Sequence, residues 1–139
     1  MRRALAVLLG ASALLLAGCG SEGTVLPTAK EVSGTLPKQA STLPKGDPAA
    51  GKKVFASNGC TGCHTYGPAG SNGTIGPDLD KLPQYAKQAN QGPIDQFVET
   101  SIVSPSSYVQ PGYSDLMPKS YGNLPKKKLA DLVAFLTQK

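Results

Sequence analysis

Five consecutive residues, Cys60-Thr61-Gly62-Cys63-His64, limit what this chain can become more than any other stretch. They contain its only histidine and two of its three cysteines. The third, Cys19, closes an apolar N-terminal run, so no further thiol remains to staple the fold. An odd cysteine count asks for an explanation of each one. Either Cys60 and Cys63 close a small disulfide ring, or they hold something together with His64.

The residues around the motif argue for the second. Asp47 can cap a helix, Pro48 suits its first position, and Ala49 to Ala56 can follow. Gly51 costs that helix roughly 1 kcal/mol against Ala. It lies one turn before Phe55 on the same face, which predicts close approach of another helix. Asn58-Gly59 ends the segment just before Cys60. Gly92-Pro93 starts a second helix with Ile94, Phe97, Val98 and Ile102 on one stripe, and Pro105 stops it. A last helix runs from about Pro125 towards Gln138, with Leu129, Leu132, Val133 and Leu136 at helical spacing. Residues 65–91 and 105–125 are rich in Gly, Pro, Asn and Ser and read as loops; no strand pattern is visible. The expected fold class is all-α, with three to four helices and long loops. Residues 47–139, half of them in loops and without a disulfide, make a thin core. A bound cofactor would supply the missing apolar volume.

The N-terminus reads as a separate unit. Arg2 and Arg3 precede an apolar run from Ala4 to Ala17, too short for a permanent membrane span and suited to a signal peptide over residues 1–18. Leu16-Ala17-Gly18-Cys19 resembles the lipobox of bacterial lipoproteins, in which the cysteine is lipidated and becomes the new N-terminus; the plain alternative is an ordinary signal peptide with a chance cysteine. Residues 19–46, dominated by Thr, Ser, Pro, Gly and Lys without periodicity, read as a flexible tether. A coil of that length reaches about 30 Å r.m.s.. The whole chain carries a net charge of +5, and loss of Arg2 and Arg3 with the leader lowers it to +3. That is mildly basic, without the polycationic, aromatic-interleaved surface of a nucleic-acid binder. Residues 47–139 remain as the folded domain.

Cys60-x-x-Cys63-His64 has the spacing of c-type haem attachment. Two cysteines three apart sit on one side of a single turn, where both sulfurs reach the two vinyl groups of one porphyrin. The next residue then projects an imidazole under the ring, and Gly62 lets the backbone run close. A thioredoxin-like C-x-x-C follows a strand and opens a helix, whereas this one follows a helix and leads into Gly-Pro loops. A structural zinc site wants four Cys or His ligands, and no fourth follows Cys60, Cys63 and His64 once Cys19 is set aside. A disulfide explains the cysteines but leaves His64 without a purpose. Once Met1 leaves with the leader, Met117 is the sole thioether, placed before Pro118 in a Gly/Pro-rich loop where gap-filling is a poor explanation. It is the candidate second axial ligand of the iron, opposite His64; simple core packing is the alternative.

These pieces together resemble class I c-type cytochromes, specifically small bacterial lipoprotein members and the related domains of respiratory complexes. The resemblance covers 47–139 and rests on Gly51 and Phe55, the haem motif, Gly76-Pro77-Asp78-Leu79, Pro111-Gly112-Tyr113, Met117-Pro118 and the final Leu-Val-Ala-Phe-Leu helix. It implies the small cytochrome c fold wrapped around one haem c, with Pro77 and Tyr113 in the haem pocket. It implies that the first and last helices cross, with Phe135 approaching Phe55 over Gly51. It implies too that the Pro77 carbonyl accepts the other ring N–H of His64 and so orients the imidazole. Two departures stand out: Pro125 replaces a Ser or Thr cap, and no Trp is present to bind a haem propionate, leaving Tyr66, Tyr85, Tyr108 or Tyr121 as substitutes.

The function so implied is transfer of single electrons between respiratory or photosynthetic redox proteins outside the cytoplasm, by a carrier held to a bacterial membrane through lipidated Cys19. With both axial positions filled, no small-molecule substrate binds the iron and the chain is not an enzyme by itself. Two other readings remain: a haem-bearing subunit of an oxidase or dehydrogenase complex, and a haem sensor or enzyme if the sixth iron site is open. Lys119 and Lys126-Lys127-Lys128 cluster beside the Met117 loop. They form either a solvated face or a docking patch for an acidic-faced redox partner.

Overall fold

The computed structural model describes residues 42–138. Among these, four α-helices carry the fold: α1 (Pro48–Ser57), α2 (Leu82–Ala89), α3 (Ile94–Val103) and α4 (Lys126–Leu136). The architecture is the small cytochrome c fold expected from the sequence, mostly helical with long connections.

The first helix begins where its signals place it. The Asp47 side chain accepts the Ala49 amide at 2.9 Å, and Pro48 follows in the first turn. It ends at Asn58, after which Gly59 turns left-handed at φ 75°. That conformation costs Gly nothing and closes the helix. α1 packs against α4 at very short range. A Cβ at Gly51 would lie 2.0 Å from the Asp131 carbonyl oxygen and 2.7 Å from Phe135 Cβ. A second contact of the same kind precedes the helix, where a Cβ on Gly46 would lie 2.1 Å from the Ala130 carbonyl oxygen. The approach brings Phe55 and Phe135 into edge contact, ring centroids 5.8 Å apart, and Tyr66 completes a cluster at 5.9 and 5.2 Å. Edge-to-face pairs at such distances add to the burial of three large rings.

The carbonyls near the end of a helix lack partners within it. Tyr66 meets one of them, donating its buried hydroxyl to the Phe135 carbonyl at 2.9 Å. At the other end of α4, Pro125 provides no side-chain cap. Three lysines fill that first turn against the helix dipole. One of them is drawn inward: Lys127 pairs with Asp131, a turn further on. Asp131 is buried, 5 % exposed, and also accepts the Asp47 backbone N–H at 2.7 Å. Its carboxyl sits below the usual Asp range, first because Lys127 donates to it and then because the Asp47 amide does. One carboxylate thus ties the start of α1 to the middle of α4.

Two features depart from the loop reading of residues 65–91. The first is α2, an eight-residue helix in which Leu82 and Ala86 are buried and Asn90 ends the last turn at φ 50°. Leu82, Tyr85, Ala86 and Ala89 follow helical spacing, but Pro83 and the surrounding Gly and Pro hid it. Pro83 is tolerated because it sits in the first turn, where its missing N–H has no helical partner to lose. The second is a two-residue antiparallel ladder, β1 (Thr65–Tyr66) with β2 (Ser71–Asn72), too short to leave an alternating pattern. α3 and α4 fall close to their expected bounds.

Candidate functional site

Where α1 ends, the chain winds into a 3-10 turn over Cys60–Gly62. The His64 and Cys63 amides both donate to the Cys60 carbonyl, at 3.0 and 3.2 Å. Three residues per turn is the 3-10 period, so Cys60 and Cys63 come round to the same side. Both thiols are free and half-buried. Burial pushes the Cys60 thiol up, against a backbone hydrogen bond that lowers it, and the neighbouring Cys63 adds to the rise. Gly62 meets nothing within 4 Å at its Cβ position, so this side of the turn is open.

His64 is held from two directions. Its Nδ1 lies 2.8 Å from the Pro77 carbonyl oxygen. A carbonyl only accepts, so Nδ1 carries the proton and Nε2 keeps its lone pair. Gly76 sets the ring position: a Cβ there would fall 2.6 Å from His64 Cε1 and 2.9 Å from Nδ1. The Gly76 amide in turn donates to the Cys63 carbonyl at 2.7 Å, which seats the 73–77 loop on the motif. Gly73 presses on the same backbone, its Cβ position 2.7 Å from the Cys63 carbonyl carbon. Burial lowers the His64 pKa from its ordinary 6.5, opposed by the Pro77 hydrogen bond. The imidazole is therefore neutral at pH 7, the form that binds metals.

Cys60, Cys63 and His64 line a cavity of about 190 Å³ whose wall is overwhelmingly apolar. Phe97, Val98 and Ile102 from α3 and Leu132 and Leu136 from α4 contribute to it. Met117, half-buried, lines the same cavity from the long loop between α3 and α4, as do Pro77 and Tyr113. Side-chain bonds hold that loop: Ser106 donates to Asp115 at 2.7 Å, and Gln110 donates to Gln88 of α2 at 2.9 Å. Tyr108 adds a ring contact with Phe97, centroids 5.6 Å apart. Gly112 turns the loop at φ 90°, and the Tyr113 amide donates to the Gln110 carbonyl at 3.1 Å. Tyr66 stands apart from the cavity, its hydroxyl engaged with α4, so it leaves the set of possible propionate partners. Ile75 and Leu116, 58 % and 67 % exposed, form an apolar rim that the sequence reading missed. A lone exposed aliphatic in a Gly/Pro loop carries no signal until its neighbours are known.

Among the described residues, no three or more of His, Cys, Asp and Glu are grouped to hold a metal ion on their own. The family model for cytochrome c matches residues 48–139. The chain belongs to the cytochrome c family. Members of that family bind haem c and act as electron carriers, generally without enzymatic activity, and their domains are typically extracytoplasmic. No curated protein matches the chain.

The residues fit such a group: an apolar cavity, two free thiols on one face of a turn, and an imidazole whose metal-binding nitrogen is free. Among the described residues no helix is long and apolar enough to cross a membrane. The expected signal peptide over residues 1–18, Cys19 and most of the expected tether lie outside the described residues.

Proposed function

We propose that this cytochrome is a class I, mono-haem lipoprotein, anchored to a bacterial membrane, that carries single electrons between redox proteins outside the cytoplasm. The observation that carries the reading is that Cys60, Cys63, His64 and Met117 line one apolar cavity. Bound haem c supplies a one-electron iron couple. Each thiol would hold it by adding across one vinyl group, sulfur to one carbon and hydrogen to the other. His64 would ligate through Nε2, fixed in that tautomer by Pro77. Met117 would offer its thioether from the long loop; a His/Met pair raises the potential relative to bis-imidazole ligation. With His64 and Met117 both holding the iron, no position on it would remain for a small-molecule substrate. A single C-x-x-C-H motif accounts for a single haem, and the apolar lining keeps water away.

Lipidation at Cys19 would supply more than one acyl chain, as stable anchoring requires. Lys119, Lys126 and Lys128 are exposed and would face an acidic partner; Lys127 is partly committed to Asp131. Surface charge acts mainly on encounter rate. Charge reversal of Lys126 and Lys128 in the soluble Cys19→Ser form should slow stopped-flow electron transfer at low salt and matter little at high salt. A rate indifferent to both would make them an ordinary solvated face.

The attachment itself is tested on exported protein by denaturing gels stained for haem peroxidase activity. The wild type should show a stained band, and the Cys60→Ala, Cys63→Ala double variant should lose it. Haem that extracts from the wild type into acid acetone would sink the proposal.

A further inference from the structure

Before Met117, the long loop is held by exposed bonds, from Ser106 to Asp115 and from Gln110 to Gln88 of α2. After Met117 the tie is of another kind. Tyr121 follows four residues later, in a 3-10 turn over Lys119–Asn123. It donates its hydroxyl to the Asn58 backbone carbonyl at 2.8 Å, a half-buried bond between residues 63 positions apart. Tyr121, Asn58 and Met117 all line the cavity.

Both ends of this bond are firmly placed. Asn58 closes α1, two residues before Cys60. Its backbone amide donates to the Val54 carbonyl at 3.1 Å, and its side-chain amide reaches the same oxygen at 2.7 Å. The acceptor thus belongs to the helix end from which the haem motif hangs. On the donor side, a Cβ on Gly122 would fall 2.9 Å from the Val103 carbonyl oxygen, so the turn rests directly on the end of α3. The Leu124 amide donates to the Tyr121 carbonyl at 3.1 Å and closes that turn. Burial raises the Tyr121 pKa above its ordinary 10, and the Cys60 and Cys63 thiols add to the rise, so the phenol keeps its proton at neutral pH.

We propose that Tyr121 is a positioning residue for Met117: its bond to Asn58 holds the Met117 loop to the helix that presents His64, and so limits the access of outside ligands to the iron. The inference rests on the haem and Met117 reading above. An outside ligand competes only while Met117 is displaced, so its apparent affinity scales with the fraction of molecules in that open arrangement. A bond made in the closed arrangement and lost in the open one lowers this fraction. It acts on a local equilibrium of the loop, separate from unfolding of the whole chain.

The test uses haem-loaded Cys19→Ser protein in the ferric state, with imidazole as the outside ligand. Tyr121→Phe removes the hydroxyl and keeps the ring. It should bind imidazole about tenfold more tightly, the factor that corresponds to one lost hydrogen bond of about 1.4 kcal/mol. Without imidazole it should keep the sulfur-to-iron absorption band, since the closed arrangement still dominates. Asp131→Asn weakens the tie between α1 and α4, away from the loop; it should lower the denaturant midpoint and leave imidazole binding unchanged. Wild-type imidazole affinity in Tyr121→Phe would overturn the proposal, and so would an equal gain in Asp131→Asn. If Tyr121→Phe does not accumulate, Gly122→Ala decides. Its methyl group meets the Val103 carbonyl and lifts the same turn, so tighter imidazole binding supports the proposal and wild-type binding overturns it. Ferric wild type that lacks the sulfur-to-iron band would instead overturn the reading of Met117 as a ligand.

Discussion

The two sides of the cavity are built differently. On the histidine side, the motif hangs from α1, which is pressed against α4 over Gly46 and Gly51 with Phe55 and Phe135 nearly fully buried. The His64 ring is boxed in by Pro77 and Gly76. On the methionine side, Met117 sits in a loop whose neighbours Asp115 and Leu116 are exposed, and exposed side-chain hydrogen bonds fasten it. Such bonds contribute only about 0.5–1.5 kcal/mol each. One proposed iron ligand is thus fixed by the folding core, and the other sits in a loop fastened to that core through half-buried side chains and exposed hydrogen bonds. Segments with few buried contacts open at lower free energy than core helices. The Met117 side is the less deeply buried side of the site.

The comparison breaks most visibly at the helix crossing. Gly51→Ala puts a methyl group where the Asp131 backbone carbonyl and the Phe135 Cβ, fixed to its own backbone, already are. Neither can swing aside, so the variant should lose about 1–3 kcal/mol or more. Denaturant unfolding should show it as a lowered midpoint with little change in slope. An unshifted midpoint would mean that α1 and α4 are not held at this distance.

A smaller effect should appear in acid. The Asp131 carboxyl is lowered from 3.8 in the folded chain, first by Lys127 and then by the Asp47 amide. A group with a depressed folded pKa stabilises the fold above its unfolded value, and that contribution disappears as pH falls through the folded one. Thermal stability of the wild type should therefore fall as pH drops below about 3.8, and Asp131→Asn should show less of that loss. Identical acid profiles would remove Asp131 as the tie between the helices.

How much of this was legible in the sequence follows the same division. Helices α1, α3 and α4 announced themselves through Asp47-Pro48, the Phe97-Val98-Ile102 stripe and the Leu129-to-Leu136 spacing, because their burial is one-sided and periodic. Gly51 was legible as a contact because a glycine inside a helix needs a reason. Helix α2 was not, since eight residues with a proline among them and glycines on both flanks look like loop. The Asp131 tie joins positions 84 residues apart, and no local pattern encodes such a contact. Gly46 was read as tether for the same reason: what it touches is α4, and spacing along the chain cannot show it. In the site, Cys60, Cys63 and His64 were legible because their chemistry is local. The narrow seat that Gly76 gives the His64 ring and the bond from Tyr121 to Asn58 depend on loops folding back, and they became visible only in three dimensions.

On the proposed reading, His64 and Met117 together hold one iron within this cavity. Ferric absorption at the long-wavelength sulfur-to-iron charge-transfer band, compared between wild type and Met117→Ala, tests it most directly. The wild type should show the band. The variant should lose it and show a lower potential, since a thioether favours Fe(II) over harder ligands, while its haem stays covalently attached and its helix content is retained. A variant that keeps both the band and the wild-type potential would contradict the claim and return Met117 to the packing of the loop.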